Sequence, residues 1–156
     1  MAIYKMIRKQ VIPADIATLW DFFKDPSNLT AITPSYMNFV IKTMDTSDDI
    51  YAGQMITYSV APIAKIPLFW MTEITAVEKH RYFIDEQRRG PYKMWHHQHH
   101  FTTTEKGVEM TDIVHYGLPL GFLGRIAHAL FVRKKLEGIF AYRTVRVAQL
   151  FPDSSK

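Results

Sequence analysis

The chain has 156 residues, of which 47% are hydrophobic and 22% are charged, and its formal net charge is +4. A chain of this length fits a single globular domain, which we expect to span residues 1–151, followed by a loose C-terminal tail over 152–156. The absence of cysteine excludes disulfides, thiolate metal sites, iron–sulfur clusters and cysteine nucleophiles. Since neither a signal-peptide pattern nor an apolar run of membrane-spanning length is present, the sequence predicts a soluble, cytoplasmic protein.

The N-terminal segment predicts one strand followed by two short helices. β-Branched and aromatic residues dominate residues 3–12, which we interpret as a β-strand. Asp15 stands in the N-cap position of a short amphipathic helix, whose apolar side chains recur at helical spacing. A second short helix is expected to begin at Pro26 or Ser27 and to end before Pro34.

Apolar and polar residues then alternate from 38 to 116, which is typical of strands. The predicted strands are 39–44, 54–61, 66–77, 81–88, 92–104 and 108–116. Because the joints between them are short, they form an antiparallel meander. After a loop over 117–121, helical periodicity predicts a C-terminal helix of about 27 residues. Its apolar stripe consists of Ile126, Leu130, Leu136, Phe140, Val147 and Leu150. This order of elements predicts an α+β fold in which a curved antiparallel sheet of about seven strands wraps around the long helix.

The hairpin near residue 105 allows its register to be predicted. If Thr104 and Gly107 close a two-residue turn, four cross-strand pairs point to one face of the sheet. These pairs are Trp95–Tyr116, His97–Val114, His99–Asp112 and Phe101–Met110. The opposite face is more polar, so we expect the face with these pairs to point inward, towards the helix.

The same alternation places Tyr58, Trp70 and Asp85 on the inward face. Large aromatic side chains beside a few polar groups are typical of a small-molecule pocket, because buried polar atoms need partners. The predicted ligand-binding residues are Tyr58, Trp70, Asp85, Trp95, His97, His99, Phe101, Met110, Asp112 and Tyr116. The alternative is a filled core in which His99 and Asp112 only satisfy each other.

His99 and Asp112 are also the candidate catalytic residues. A carboxylate that orients an imidazole makes a general acid/base pair, and Asp85 or a tyrosine hydroxyl would be the second proton group. No nucleophile elbow, phosphate-binding loop or dinucleotide fingerprint is present, which argues against acyl transfer, phosphoryl transfer and dinucleotide chemistry. His97, His99 and Asp112 could bind a metal only if their spacing matched metal bonds. We expect neither a metal nor a cofactor.

The predicted C-terminal helix is basic. Six basic residues and one acid, Glu137, lie between Arg125 and Arg146. A solvated helix face is the simpler interpretation, and attraction to anionic lipid is the alternative. Arg133 and Arg143 lie near the apolar stripe, where either could reach an anionic ligand group or extend to solvent. No nucleic-acid-binding motif is present, so nucleic acid is not an expected partner.

Several segments resemble the START-like, or SRPBCC, superfamily, and in particular its ligand-binding and polyketide-cyclase-like members. They are "DIATLWDFFKDPSNLTAITP", "MITYSV", "FWMTEITAVEKHRYFIDEQRRGPYKMWHHQHHF", "MTDIVHYGLPLGFLGRIAH" and "IFAYR". The resemblance extends over about residues 3–151. It implies a helix-grip fold with a deep cavity for hydrophobic ligands, in which Trp70, Trp95, His97, His99, Asp112 and Tyr116 would line the cavity.

Three functions follow from the residues and the resemblance together. The first is binding of a small hydrophobic molecule such as a lipid, a quinone, or an aromatic or polyketide-like metabolite. The second is an enzyme of the cyclase or dehydratase type that uses the His99–Asp112 pair. The third is a protein- or membrane-interaction module, in which the apolar loop over 118–123 and the basic helix make a peripheral membrane contact. No sequence feature specifies an oligomeric state.

Overall fold

A computed structural model describes residues 1–44, 47–62 and 65–153. The strands are β1 Ile3–Ile12, β2 Val40–Met44, β3 Met55–Val60, β4 Leu68–Glu78, β5 Tyr82–Arg89, β6 Met94–Thr104 and β7 Gly107–Gly117. The α-helices are α1 Ile16–Lys24, α2 Leu29–Ile32, α3 Gly121–Ala127 and α4 Arg133–Leu150. Short 3₁₀ turns over Pro26–Asn28 and Ser35–Met37 flank α2. The predicted order of elements is confirmed.

The seven strands form one antiparallel sheet in the order β1-β7-β6-β5-β4-β3-β2. Strands β2 to β7 are neighbours in chain order, and β1 pairs with β7 at the far edge. The register shifts by one residue at two places in the β4–β5 pair, near Thr72 and near Ala76. Such bulges bend and twist a sheet, and this sheet curves around the C-terminal helix as predicted.

Asp15 begins α1 as the sequence predicts. Its carboxylate accepts hydrogen bonds from the Thr18 backbone N–H at 2.9 Å and from the Thr18 hydroxyl at 2.6 Å. Leu19, Trp20 and Phe23 are the buried residues of this helix. They pack against Phe101 and Met110 in one apolar cluster at this end of the sheet.

The predicted hairpin register is confirmed. Thr104 pairs with Gly107, His97 pairs with Val114, and His99 pairs with Asp112. Residues of β6 and β7 alternate between buried and half-buried along most of their length, and the predicted inward residues are the buried ones. Gly107 has φ 120°, and a Cβ atom there would lie 2.1 Å from the Ile12 carbonyl oxygen. The turn therefore requires glycine at this position.

Strand bounds differ from the predicted ones by at most two residues, whereas the second short helix consists of a 3₁₀ turn followed by the four residues of α2, and the C-terminal helical segment has 30 residues where about 27 were predicted. Strand β7 begins at Gly107, one residue earlier than predicted. Strand β6 begins at Met94, two residues later than predicted, because Gly90 to Lys93 form the turn that precedes it. Predicted residues 45–46, 63–64 and 154–156, in two joints and the tail, lie outside the described residues.

The C-terminal helical segment runs from Gly121 to Leu150 and contains a π-helical turn over His128–Val132. The predicted apolar stripe is half right. Leu136, Phe140 and Val147 are buried, whereas Ile126, Leu130 and Leu150 are exposed. No helix within the described ranges is long and apolar enough to cross a membrane.

Candidate functional site

A cavity of about 700 Å³ lies between the inward face of the sheet and the C-terminal helix. Strands β3 to β6 form one wall, and the helical segment forms the opposite one. Apolar lining residues include Ile56, Val60, Ile74 and Phe83 from the sheet, and Val132, Leu136, Ile139 and Phe140 from the helical segment. A volume of this size falls in the range of small-molecule sites, which is about 300–1,000 Å³.

Four aromatic side chains form a continuous wall of the cavity. The rings of Tyr58 and Trp70 stack with centroids 5.8 Å apart, and Trp70 meets Trp95 edge to face at 5.3 Å. Tyr92 contacts Trp95 at 4.9 Å. The indole Nε1 of Trp70 is buried without a hydrogen-bond partner among the described residues, so this wall keeps one unused donor.

A polar cluster of two histidines and two aspartates occupies the adjoining part of the sheet. Asp85, His97 and His99 line the cavity, whereas Asp112 lies behind the histidines and does not contribute to its wall. Asp85 pairs with His97 across β5 and β6, and His99 pairs with Asp112 across β6 and β7. The register of three adjacent strands therefore brings these four side chains together.

Each histidine contacts both carboxylates. His97 Nε2 donates to Asp112 Oδ1 at 2.9 Å, and His99 Nε2 donates to Asp85 Oδ2 at 2.8 Å. His97 Nδ1 lies 3.5 Å from Asp85 Oδ2, and His99 Nδ1 lies 3.1 Å from Asp112 Oδ1. The last contact has ion-pair distance but is not aligned as a hydrogen bond, so His99 Nδ1 has no hydrogen-bond partner among the described residues. The predicted His99–Asp112 pair is adjacent, but the aligned bonds join His97 to Asp112 and His99 to Asp85.

Arg143 of α4 adds a cation beside this cluster. One of its guanidinium nitrogens lies 4.0 Å from Asp112 Oδ1, and the side chain is 13% exposed. Its guanidinium also lies over the rings of Phe23 and Phe140, at 5.4 and 5.9 Å from their centroids. Arg143 lines the cavity, so of the two arginines considered from the sequence it is the one that faces inward.

The charges of the cluster follow from burial and from these contacts. Burial and the nearby His99 lower the pKa of His97, and its bond to Asp112 does not offset them. Burial also disfavours the charged form of His99, but contacts with both carboxylates outweigh it and raise the pKa of His99. Despite burial, the Arg143 charge and the histidines hold the pKa of Asp112 well below its usual range. The histidines similarly lower the pKa of Asp85.

These directions favour ionised forms of Asp85 and Asp112 and a neutral His97, and of the two imidazoles they favour protonation of His99. Because Asp112 can only accept, neutral His97 carries its proton on Nε2 and keeps an unprotonated Nδ1 on the cavity side. That nitrogen can accept a proton or bind a cation. Arg143 can pair with an anionic group of a ligand.

Exposed apolar residues mark an opening of the cavity at α3. Leu120, Leu123 and Phe131 line the cavity and are also 76%, 64% and 51% exposed. The neighbouring Phe122 is 65% exposed and does not line the cavity. We refer to Leu120, Phe122, Leu123 and Phe131 as the mouth residues.

Six of the ten residues predicted as ligand-binding line this cavity: Tyr58, Trp70, Asp85, Trp95, His97 and His99. Four face inward but do not line it: Phe101, Met110, Asp112 and Tyr116. Phe101 and Met110 belong to the apolar cluster below α1, Asp112 is covered by the histidines, and Tyr116 bonds to His128 at 2.9 Å. The strand register predicts which face of the sheet a side chain lies on. The helices that cover this face determine which of its side chains line the cavity.

Sequence reasoning left Tyr92, Leu136 and Phe140 out of the predicted site, and it named Arg143 only as one of two arginines that could reach an anionic ligand group. Leu136 and Phe140 were assigned to the helix stripe that covers the sheet. A usable signal existed for Arg143, because it follows Phe140 by three residues and therefore shares its helix face.

No protein-family model matches the chain, and no curated protein matches it by sequence. Solved structures do match. Protein CV1439 from Chromobacterium violaceum is 15% identical, with 96% of this chain and 99% of that one covered and a TM-score of 0.70. Major latex-like protein 151 from Panax ginseng is 12% identical, with 97% and 99% covered and a TM-score of 0.67. Ara h 8.0201 is 13% identical, with 95% and 99% covered and a TM-score of 0.63. The chain therefore has the START-like, helix-grip fold that the sequence resemblance predicted.

Proposed function

We propose that this protein binds a small, mainly hydrophobic molecule in the cavity between the sheet and the C-terminal helix. The observation that carries the proposal is the cavity itself, about 700 Å³ in volume and walled mostly by apolar and aromatic side chains. Stable proteins rarely leave so much apolar surface unpacked in their interior without a use for it. The shared fold supports the proposal without selecting a ligand, because one fold hosts many functions.

The distribution of polar groups suggests what kind of molecule fits. Planar rings can stack against the wall that contains Tyr58, Trp70 and Trp95. A hydrogen-bonding or anionic group would be satisfied by His97 and Arg143, which line the cavity. An aromatic or polyketide-like metabolite, a quinone or a lipid with one polar end combines both features.

Native mass spectrometry of the purified protein tests the proposal directly. We expect a co-purified small molecule, which can be extracted and identified. A fluorescent apolar probe, 1-anilinonaphthalene-8-sulfonate, provides a second readout when nothing co-purifies. Binding of one probe per chain with enhanced emission is the expected result.

Leu136→Trp places a large ring into the cavity from a buried position on α4. The cavity has room for the added atoms, so the variant should fold, and it should lose the probe and the co-purified molecule. Leu130→Trp is the matched control, since Leu130 is 69% exposed on the same helical segment and does not line the cavity. Equal loss in both variants, or no loss in Leu136→Trp, would contradict binding in the cavity.

A proton-transfer reaction on the bound molecule is a second candidate function. It is favoured by the unprotonated Nδ1 of His97 on the cavity side, with Asp112 holding the other ring nitrogen. The molecule recovered from the protein can be incubated in D₂O with the wild type and with His97→Gln. Deuterium uptake with the wild type alone would support catalysis, and the absence of uptake or turnover with both would reject it.

A further inference from the structure

Three potential metal ligands meet on the cavity wall where β5 and β6 pair. They are Asp85, His97 and His99, and their donor atoms all lie within 4.8 Å of one another. Asp85 Oδ2 is 3.5 Å from His97 Nδ1 and 2.8 Å from His99 Nε2. The two histidine side chains are 6% and 5% exposed, so water competes little for these positions.

These separations can be compared with those of a real metal centre. With bonds of about 2.1 Å, two ligand atoms lie about 3.0 Å apart at a right angle and about 3.4 Å apart at the tetrahedral angle. The observed 2.8 and 3.5 Å bracket this range. Asp85 and either histidine could thus share one ion, and rotation of the histidine side chains would bring all three donor atoms to bonding distance, since they already lie within 4.8 Å of one another.

Asp112 stands where a supporting carboxylate of a metal centre belongs. Its Oδ1 lies 2.9 Å from His97 Nε2 and 3.1 Å from His99 Nδ1, which are the ring nitrogens turned away from Asp85. Metal-bound histidines usually donate their second N–H to such a carboxylate, which fixes the tautomer and the ring orientation. The sequence suggested Asp112 as the carboxylate ligand of such a site, and no metal was expected there. In the structure, Asp85 is the carboxylate that lines the cavity.

Charge balance favours a cation at this place. The half-buried carboxylate of Asp85 and the buried one of Asp112 lie near the single fixed cation of Arg143. The remaining negative charge needs a partner, which is either a proton on the histidine pair or a bound metal ion. The proton is the rival occupant that the experiment must distinguish.

We propose that Asp85, His97 and His99 bind one divalent transition-metal ion, with Asp112 as their supporting carboxylate. Two imidazoles and one carboxylate suit Zn²⁺, Co²⁺ or Fe²⁺ and leave coordination positions open. Because all three ligands line the cavity, the open positions face the space in which a small molecule would lie.

The test uses the full chain, freed of metal by a chelator and titrated with Zn²⁺ by calorimetry and with Co²⁺ by visible absorption. We expect one ion per chain. The visible absorption of bound Co²⁺ should be intense, as it is for Co²⁺ with four or five ligands. Alanine in place of Asp85, His97 or His99 should abolish this binding. Asp112→Asn should weaken it about 10- to 100-fold, as loss of a supporting carboxylate does.

His96→Ala/His100→Ala is the matched control, because these histidines alternate with His97 and His99 on β6 but point to the other face. The control should bind as the wild type does. Binding lost in the control and retained in His97→Ala would overturn the proposal, as would no binding in the wild type. If the alanine variants fail to fold, paramagnetic shifts of the His97 and His99 ring protons in Co²⁺-loaded wild type decide the matter. Probe binding and its loss in Leu136→Trp are measured on the metal-free protein, so failure of one proposal does not imply failure of the other.

Discussion

His97 and Asp112 are held together across β6 and β7 by a hydrogen bond of 2.9 Å, although they are not cross-strand partners. His97 pairs with Val114 in the register, so its imidazole reaches diagonally to the carboxylate of the neighbouring pair. This diagonal contact turns the other ring nitrogen of His97 towards the cavity. It also places Asp112 between two histidines and Arg143.

Asp112→Ala should therefore destabilise the protein strongly. It would leave the buried Arg143 without this carboxylate and remove the partner of His97 and His99, and breaking a buried ion pair costs about 3–5 kcal/mol. The free energy of unfolding in urea measures the effect. Glu109→Ala is the control on the same strand, since Glu109 pairs with Lys9 on the outer face and should contribute less than about 1 kcal/mol. Similar losses in both variants would contradict the assigned role of Asp112.

His128 should make stability depend on pH in the opposite sense to a salt-bridged histidine. Burial and the nearby Arg133 lower the pKa of His128, while Tyr116 bonds to its Nε2 at 2.9 Å and Tyr4 stacks on its ring. In the unfolded chain the pKa of His128 has its ordinary value of 6.5, so the unfolded chain binds a proton more readily than the folded one. The stabilisation that neutral His128 provides is therefore fully present above pH 6.5 and is lost as the pH falls below 6.5.

Unfolding free energies of the wild type and of His128→Gln, measured from neutral to mildly acidic pH, check this sign. Contributions that the two proteins share cancel in the difference. The wild type should lose more stability than the variant as the pH falls. A difference that is constant with pH would show that His128 does not titrate as assigned.

Two glycines should respond to alanine in opposite directions. Gly107→Ala forces a Cβ atom against the Ile12 carbonyl at positive φ and should cost about 1–3 kcal/mol. Gly138 lies exposed within α4, and apart from its chain neighbours and the backbone of its own helix, a Cβ atom added there would meet no atom of the described residues within 4 Å. Gly138→Ala should therefore stabilise the protein by about 0.5–1 kcal/mol. Thermal unfolding compares the two. A stabilised Gly107→Ala protein would mean that the hairpin tolerates another turn.

The mouth residues should bind anionic membranes. Phe122 and Leu123 are exposed beside Arg125, and Arg133 and Lys134 are exposed on the same helical segment. An apolar surface next to clustered cations is suited to the headgroup region of an anionic bilayer. We propose that this surface docks on membranes, and we expect co-sedimentation with phosphatidylserine-containing vesicles that weakens as salt is added.

Phe122→Asp/Leu123→Asp should abolish that co-sedimentation. Val40→Asp is a suitable control, because Val40 is an exposed apolar residue on the edge strand β2. If the wild type stays in the supernatant even at low salt, this proposal is wrong.

Most of the fold could be predicted from the sequence because its signals are local. Asp15 begins its helix through bonds to Thr18, three residues away, and Gly107 fixes the register of its hairpin through one turn. Given that register, the inward residues of β6 and β7 follow from alternation alone.

The site was only partly predictable because its limits depend on contacts between distant elements. Met110 and Phe101 share a face with His97, but α1 covers them and leaves His97 open to the cavity. Asp85 was recognised as inward-facing, yet its contact with His99 depends on where β5 pairs with β6. Gly90 and Pro91 mark a turn between these strands, but a connection of this length does not fix the register as a two-residue turn does.

The π-helical turn over His128–Val132 has a consequence for the phase of the whole C-terminal segment. From α3 into the first turn of α4, the inward residues recur every fourth position, at Gly124, His128, Val132 and Leu136. At about 100° per residue, a step of four residues exceeds a full turn by about 40°, so three steps would rotate this row by about 120° around a regular α-helix. One additional residue in a wider turn absorbs about 100° of that drift and keeps the row facing the sheet. The same offset explains why Ile126 and Leu130, which fit a regular helical repeat, point outward.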